Sequence, residues 1–369
     1  MVMFLGPAKP PSSCVCLAFV CSYPGGLGVG VAAVATGGLG KALVAGADVE
    51  ASRKGVRLPA PADAAEPLTA GTSLGVREVS RFTTSNADFY RVDTALVLPK
   101  VKAETWRLKV HGMVEREVTL TWDQLLRKPL IERDITLTCV SNQVGGKYAG
   151  NARWLGYPLK DLLEEAGVKP GADQLVSRSK DGWTAGTPIS VAMDGRDAML
   201  AIGMNGEPLP VRHGFPVRML VPGLYGMVSA TKWLVDLEVT RYNAFDAYWV
   251  RRGWATDAVI RTMARIDTPR PLANVSGTVA IGGVAWAQHR GVKRVEVRVD
   301  DGDWQVADLG DAPTKDTWRQ WSVQWQPSAG RHTIVARATD DTGMTQPEQR
   351  MDPFPSGATG WHSVVVTAS

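Results

Sequence analysis

Asp134-Ile135-Thr136-Leu137-Thr138-Cys139-Val140-Ser141-Asn142 is a β-type run that carries a single thiol to the edge of a polar loop. Cys139 is the only cysteine after Cys21; the other three, Cys14, Cys16 and Cys21, crowd into an apolar N-terminal stretch. With no local disulfide partner, Cys139 is an inert buried residue, a nucleophile, or a ligand to a metal or cofactor. A lone strand cysteine commonly behaves as a small buried hydrophobe. Here, however, Ser141, Asn142, Gln143, Gly145 and Gly146 follow at once. Polar, glycine-rich loops after strands are where ligands approach the backbone closely.

The rest of the chain sets bounds on that choice. Its 369 residues predict roughly two domains at ~100–200 residues each. A net charge of +4 gives no extended nucleic-acid surface. The sequence has no CxxC pair, no Cys/His cluster and no CxxCH, which disfavours a structural zinc site and covalently attached haem. Residues 14–40 carry no charge, long enough to span a bilayer, for which ~20 apolar residues suffice. Their glycines and Pro24 make them a poor helix. Residues 1–50 are therefore expected to be a membrane anchor or a leader, making the protein membrane-associated or extracytoplasmic. Taken alone, Arg53, Lys54 and Arg57 would put the body in the cytoplasm, so orientation stays open.

Residues 51–78 are rich in Pro and Ala and read as an extended tether. Residues 79–260 read as a mixed α+β domain lacking the strand–helix alternation of a doubly wound sheet. Strands are expected at Trp106–Gly112, Val118–Leu120, Ile135–Val140 and Asp173–Ser179, and around the glycine-rich loop between Phe215–Pro222 and Lys232–Arg241. Thr121 with Gln124 forms a capping-box signal for a helix to Arg127. Leu159–Ala166 is an amphipathic helix closed by Gly167, and Met193–Leu200 is expected as another. Over 261–369, alternation by twos and the turn Asp300-Asp301-Gly302 predict an all-β sandwich.

Three further stretches carry site chemistry. His213-Gly-Phe-Pro-Val-Arg218 sets an imidazole and a guanidinium around a rigid turn, and Arg218 suits a phosphate. Tyr225 to Trp233 holds Gly226, Ser229, Thr231 and Lys232, the makings of an anion-binding loop. Ser85 to Arg91 mixes the amide of Asn86, the phenol of Tyr90 and the guanidinium of Arg91. Each stretch alone also reads as an ordinary polar turn or loop.

In combination and order they are specific. Cys139-x-x-Asn142, Met204-Asn-Gly-Glu-Pro-Leu-Pro210, His213-Gly-Phe-Pro-Val-Arg218 and the loop to Lys232-Trp233 resemble the sulfite oxidase family of molybdenum enzymes. Ala285-Trp-Ala, Val295 to Trp304 and Trp318-Arg319-Gln-Trp321 resemble the Ig-like dimerisation domain that follows its catalytic domain. The resemblance covers about residues 80–369. It implies a Mo-molybdopterin cofactor, Cys139 as the metal's thiolate ligand, and oxygen-atom transfer at the metal; no haem is expected, from the residues themselves. Asn86, Tyr90, Arg91, His213, Arg218, Ser229, Thr231 and Lys232 match the family's pterin-binding positions, with Ser179 a looser match. A homodimer through 261–369 is implied too, with Trp286, Trp318, Trp321 and Trp325 offering an aromatic interface.

The departures concern substrate. Animal and plant sulfite oxidases follow the cysteine with Ala-Gly-Asn-Arg-Arg, whereas Cys139 is followed by Val-Ser-Asn142-Gln143-Val144. The family's active-site tyrosine aligns with Ile202, and an early-loop arginine aligns near Ser85. Arg319 is the one match for a sulfite-facing arginine, and Arg153 and Lys147 are possible substitutes. A desolvated sulfite dianion needs cationic partners. The expected function is two-electron oxo transfer on a sulfur oxyanion. The alternatives are reduction of a sulfoxide, as in the periplasmic branch that also lacks those arginines, and a catalytically silent tethered binding protein. A thiol enzyme using Cys139 with His213 as base is a weaker rival. With no b5-type haem domain ahead of the catalytic region, electrons are expected to pass to or from a separate cytochrome or quinone-linked partner.

Overall fold

Leu108 and Val110 point into the core while Arg107 and Lys109 point out, the period-two burial that makes Arg107–Gly112 (β1) a strand. The computed structural model describes residues 48–256 and 258–369. The apolar N-terminal segment up to residue 47 lies outside them. Among the described residues no helix is long and apolar enough to cross a membrane.

Two sheets frame the first domain. One is mixed, in the order β2 (Val118–Thr121), β1, β10 (Leu234–Thr240), β5 (Gln174–Ser179), β6 (Thr184–Pro188), with β1 and β10 parallel. The other is antiparallel, in the order β3 (Ile131–Thr138), β4 (Ala149–Pro158), β7 (Met199–Met204), β8 (Glu207–Pro208), with β9 (Arg218–Leu220) also paired to β7. The capping box forms: Thr121 Oγ1 accepts from the Gln124 N–H and Gln124 Oε1 from that of Thr121. Leu159–Ala166 is a helix whose Leu159, Leu162, Leu163 and Ala166 are buried, and Gly167 ends it at φ 71°.

Two expectations fail. Met193–Leu200 is not a helix: the helical turn is Ile189–Ala192, and Met199 onward is β7, fully buried on both faces. A strand buried on both faces has no alternation, so its apolar run resembles a helix. The first domain is also mostly β, its helices being short, with less α than the mixed reading expects.

The C-terminal domain is all-β. One sheet is ordered β11 (Met263–Thr268), β13 (Val279–Trp286), β17 (Arg319–Trp325), β16 (Asp308–Leu309). The other is ordered β12 (Asn274–Val275), β19 (His362–Ala368), β18 (Gly330–Asp340), β14 (Val292–Val299), β15 (Gln305–Val306). Asp300, at φ 52°, opens the turn from β14 to β15, and the Gly302 N–H closes on Val299 O. Trp321, Ile281, Val295, Ile334 and Val366 share one core between the sheets. The expected aromatic interface is not formed. Trp286, Trp318 and Trp321 are buried, the first two in the first domain's core, and Trp325 packs against the sandwich core.

Residues 51–78 are not wholly the extended tether expected: residues 48–55 are helical and Ala70–Thr72 is a 3-10 turn, with the rest irregular but bound. Ser52 Oγ donates to Glu104 and accepts from the Ala103 N–H; Arg53 donates to Leu209 O. Asp63 bridges to Ile131 and pairs with Arg133, and the Leu74 N–H donates to Gln320 Oε1. Beyond the helix, polar groups spaced along the proline-rich stretch tie it down.

Candidate functional site around Cys139

β3 ends at Thr138, and Cys139 begins the loop. Its N–H donates to Tyr148 O at 2.9 Å and its carbonyl accepts from the Asn142 N–H at 3.0 Å. Asn142 Oδ1 accepts from the Tyr148 N–H at 2.8 Å, closing the loop. A Cβ on Gly146 would lie 2.6 Å from that amide oxygen, so the loop has room for glycine alone there. Cys139 Sγ lies 2.9 Å from Ser141 Oγ. Burial pushes the thiol's pKa up, and the Ser141 hydrogen bond opposes it.

The thiol faces a cavity whose free space, open mouth included, is about 950 Å³. Tyr90, Cys139, Ser179, Arg218 and Lys232 line it together. Arg218, at the start of β9, is 4% exposed and stacks 5.2 Å from the Trp154 ring centre. It donates to His213 O through Nη1, and its Nε has no partner. Burial pulls its pKa down to about 10, so it stays charged at neutral pH. Lys232 Nζ donates to Asp93 at 2.7 Å and to Val92 O at 3.2 Å. Burial first, then Arg218, pulls Lys232 down to about 8 against the pull of Asp93. Burial acts to raise the Asp93 carboxyl, but Arg91 and Lys232 outweigh it and hold it below its ordinary value. Desolvation drives Tyr90 far upward, so its phenol keeps its proton.

His213 is buried, and desolvation with Arg218 pushes it down to about 3, leaving it neutral. Its Nε2 lies 3.1 Å from Asn86 O, and its Nδ1 is buried without a partner. The hydroxyl of Ser179 is likewise buried and unpartnered.

Other candidates act in the framework. Asn86 donates to Met204 O and accepts from Asn205 Nδ2. Ser229 Oγ donates to Leu224 O and Tyr225 O, and Thr231 Oγ1 lies 2.6 Å from Ser177 Oγ. Arg91 pairs with Asp93. Arg319 does not line the Cys139 cavity: it donates to Gly310 O and Val292 O and lines a separate depression with Glu66 and Asp311. Arg153 is held by Asp134 instead of reaching the cavity, and neither it nor Lys147 lines it. Ile202 is wholly buried in β7.

Asp93 and the aromatic wall of Trp183, Trp249 and Trp254 were not legible beforehand. Asp93 stands two residues past Arg91, and only the fold sets it against Lys232. The tryptophans lie in segments with no periodic pattern.

Residues 95–249 match the model of an oxidoreductase molybdopterin binding domain, and residues 255–369 that of a Mo-co oxidoreductase dimerisation domain. The chain belongs to the sulfite oxidase family of molybdopterin oxidoreductases. It is 30% identical over 340 residues to mitochondrial sulfite oxidase of Drosophila melanogaster, covering 77% of this chain and 58% of that protein. It is 32% identical over 305 residues to the human enzyme, covering 69% and 55%. An inducible NADH nitrate reductase of Glycine max is 29% identical over 318 residues, covering 68% and 36%. The chain thus spans little more than half the length of the sulfite oxidases it matches. The crystal structure of the sulfane dehydrogenase SoxCD from Paracoccus pantotrophus shares its fold, with TM-score 0.67 and 23% identity over 80% of this chain and 82% of that one.

The family's cofactor is Mo-molybdopterin, and the cavity fits it. Arg218 and Lys232 are two buried cations facing one partly buried carboxylate, Asp93, which Arg91 shares, so there is room for an anionic group. Of the residues lining it, Ser179 and Arg218 have buried polar atoms, Oγ and Nε, without partners; His213, whose Nδ1 is also unpartnered, does not line it. Such atoms are costly unless a bound group satisfies them. Among the described residues no three His, Cys, Asp or Glu side chains gather as a metal site, so a lone thiolate suits a metal carried by an organic ligand.

Proposed function

We propose that this protein is a molybdenum-cofactor oxidoreductase catalysing two-electron oxo transfer, with Cys139 as the thiolate ligand of the metal. The observation that carries the reading is the placement of Cys139 in a cavity with two buried cations and unpartnered donors. When bound, the cofactor supplies the two-electron redox change and the transfer of an oxygen atom. The chain supplies the setting. Arg218 and Lys232 hold the cofactor's anionic end, with Asp93 fixing the ammonium. Tyr90, protonated throughout the working range, and Ser179 offer hydroxyls. His213, which does not line the cavity, holds Arg218 through its carbonyl oxygen. Cys139 is a neutral thiol when buried alone, so coordination releases its proton.

The substrate we assign first is a sulfur oxyanion, supported by the sulfite oxidases among the relatives. A second reading, reduction of a neutral sulfoxide, is favoured by the wall of Trp183, Trp249, Trp254 and Met227 and by the loss of the arginines to Gln143 and Val144. Electrons then pass to or from a separate carrier. Homodimerisation through residues 261–369 follows from the dimerisation-domain match. Residues 1–50 as a membrane or extracytoplasmic address complete the proposal.

Molybdenum measured in purified protein tests it: wild type is expected to bind about one metal per chain and Cys139→Ser to lose it or its activity. Metal held equally by both, with equal turnover, overturns the ligand role. Turnover of neither sulfite nor a sulfoxide by loaded protein favours the silent binding protein.

A further inference from the structure

β3 is the edge strand of its sheet, paired with β4 on one side only. An edge strand leaves a row of N–H and C=O groups that must find partners if buried. At its start the N-terminal strap takes them up: the Ala62 N–H donates to Leu130 O, and the Glu132 N–H to Asp63 O. At the end that bears Cys139 the partners come from the C-terminal domain. The Thr136 N–H donates to Asp316 O at 2.9 Å. Gln288 Nε2 donates to Thr136 O at 3.2 Å and to Thr138 Oγ1 at 2.9 Å. The Trp318 N–H donates to Thr136 Oγ1 at 2.8 Å. Thr136, Thr138, Gln288 and Trp318 are all at most 2% exposed. Beyond Cys139, Arg265 Nη1 donates to Gly146 O at 3.1 Å, so the same domain holds the far side of the loop.

We infer that the C-terminal domain, through Gln288, positions Cys139 by completing the hydrogen bonding of the edge strand that carries it. Gln288 is a positioning residue: it touches Thr138, the immediate neighbour of the thiol-bearing residue, and not the thiol. Its amide group bonds a backbone carbonyl and a hydroxyl at once, which an apolar side chain of equal length cannot do. Without these bonds, Thr136 O and Thr138 Oγ1 are buried and unpaired on that side, and the end of β3 opens more readily. The inference rests on Cys139 as the functional thiol, but its readout is independent of metal binding.

The experiment is alkylation of Cys139 by iodoacetamide in the cofactor-free full-length chain, followed by peptide mass spectrometry so that other cysteines do not contribute. Gln288→Met loses both hydrogen bonds, about 2 kcal/mol at about 1 kcal/mol each, and is predicted to be alkylated roughly 30-fold faster than wild type. Thr138→Val loses only the second of these bonds and is expected to speed alkylation roughly 5-fold. Val364→Ala cuts a buried apolar side chain of the sandwich core that makes no hydrogen bond to β3 and serves as the destabilised control, expected to keep the wild-type rate. In loaded protein, Gln288→Met is expected to lower kcat while leaving KM within twofold. Wild-type alkylation in Gln288→Met, or equal acceleration in Val364→Ala, overturns the inference. Loss of molybdenum binding in wild type would sink the ligand reading while leaving the alkylation result standing.

Discussion

The ammonium of Lys232 lies 2.7 Å from the carboxylate of Asp93, both nearly buried, and Arg91 grips the same carboxylate from outside. Asp93 is therefore the counter-charge that lets a buried lysine stay protonated beside Arg218. Asp93→Asn removes it. The cofactor-free protein is expected to lose about 3–5 kcal/mol, the cost of leaving a buried ion unpaired. A bound anionic group takes up part of that role, so the loss in loaded protein should be smaller. Urea unfolding of both forms measures the difference; equal losses would remove the assignment of Lys232 to the anionic end.

Arg218→Lys tests the guanidinium itself. Lysine keeps the charge but loses the stacking on Trp154 and the second donor face. Cofactor retention after dialysis should fall roughly 10- to 100-fold, about 1.4–2.8 kcal/mol, with little change in melting temperature.

Trp254 separates the two substrate readings. Trp254→Ala removes an apolar wall worth about 2 kcal/mol to a substrate lying on it. With methyl p-tolyl sulfoxide as probe, kcat/KM should fall about 30-fold if the neutral reading holds. An unchanged sulfoxide rate, with sulfite oxidation also unchanged, would exclude the aromatic wall from substrate binding.

Asp340 predicts an acid limb of stability. Its carboxylate is 1% exposed and accepts from Thr342, Thr262, Arg290 and the Met344 N–H. Burial acts to raise it, but these bonds carry it down to about 2. A folded value below the unfolded one means stability fully present above pH ~4 and lost as pH falls toward 2, roughly 2 kcal/mol in all. Asp340→Asn should lose about that much at pH 7, and the gap to wild type should close by pH 2.

His362 acts at higher pH. Burial, with Arg265, pushes it down to about 4, so the unfolded chain binds a proton there that the folded chain refuses. The unfolded state thus gains protons between about pH 6.5 and 4, and stability falls as pH drops through that window. His362→Gln should flatten the slope of melting temperature against pH there; an unaltered slope would show that the imidazole is not the proton acceptor.

Much of this was readable in one dimension because local rules governed it. Thr121 and Gln124 sit three apart, which fixes a capping box wherever the helix lies. Leu159 to Gly167 shows its buried stripe and its stop in nine residues. Asp300-Asp301-Gly302 marks its turn by the backbone freedom those residues allow. Met199–Met204 defeated the reading because a strand buried on both faces carries no period. Which of Trp286, Trp318, Trp321 and Trp325 are core is not legible in sequence, because residue type does not say which side of a strand meets a second domain.

Sequence alone determined the chemistry at hand: a lone thiol before a polar loop, a His-Gly-x-Pro-x-Arg turn and a basic loop, in a fixed order. Those are properties of residue type and spacing along the chain. Tertiary structure decided which of them share a cavity. It brought Tyr90, Ser179, Arg218 and Lys232 to Cys139, supplied Asp93 as counter-charge, and sent Arg319 elsewhere. Burial and ion pairing depend on neighbours distant in sequence, and so does the completion of a strand edge by Gln288, 150 residues from Thr138.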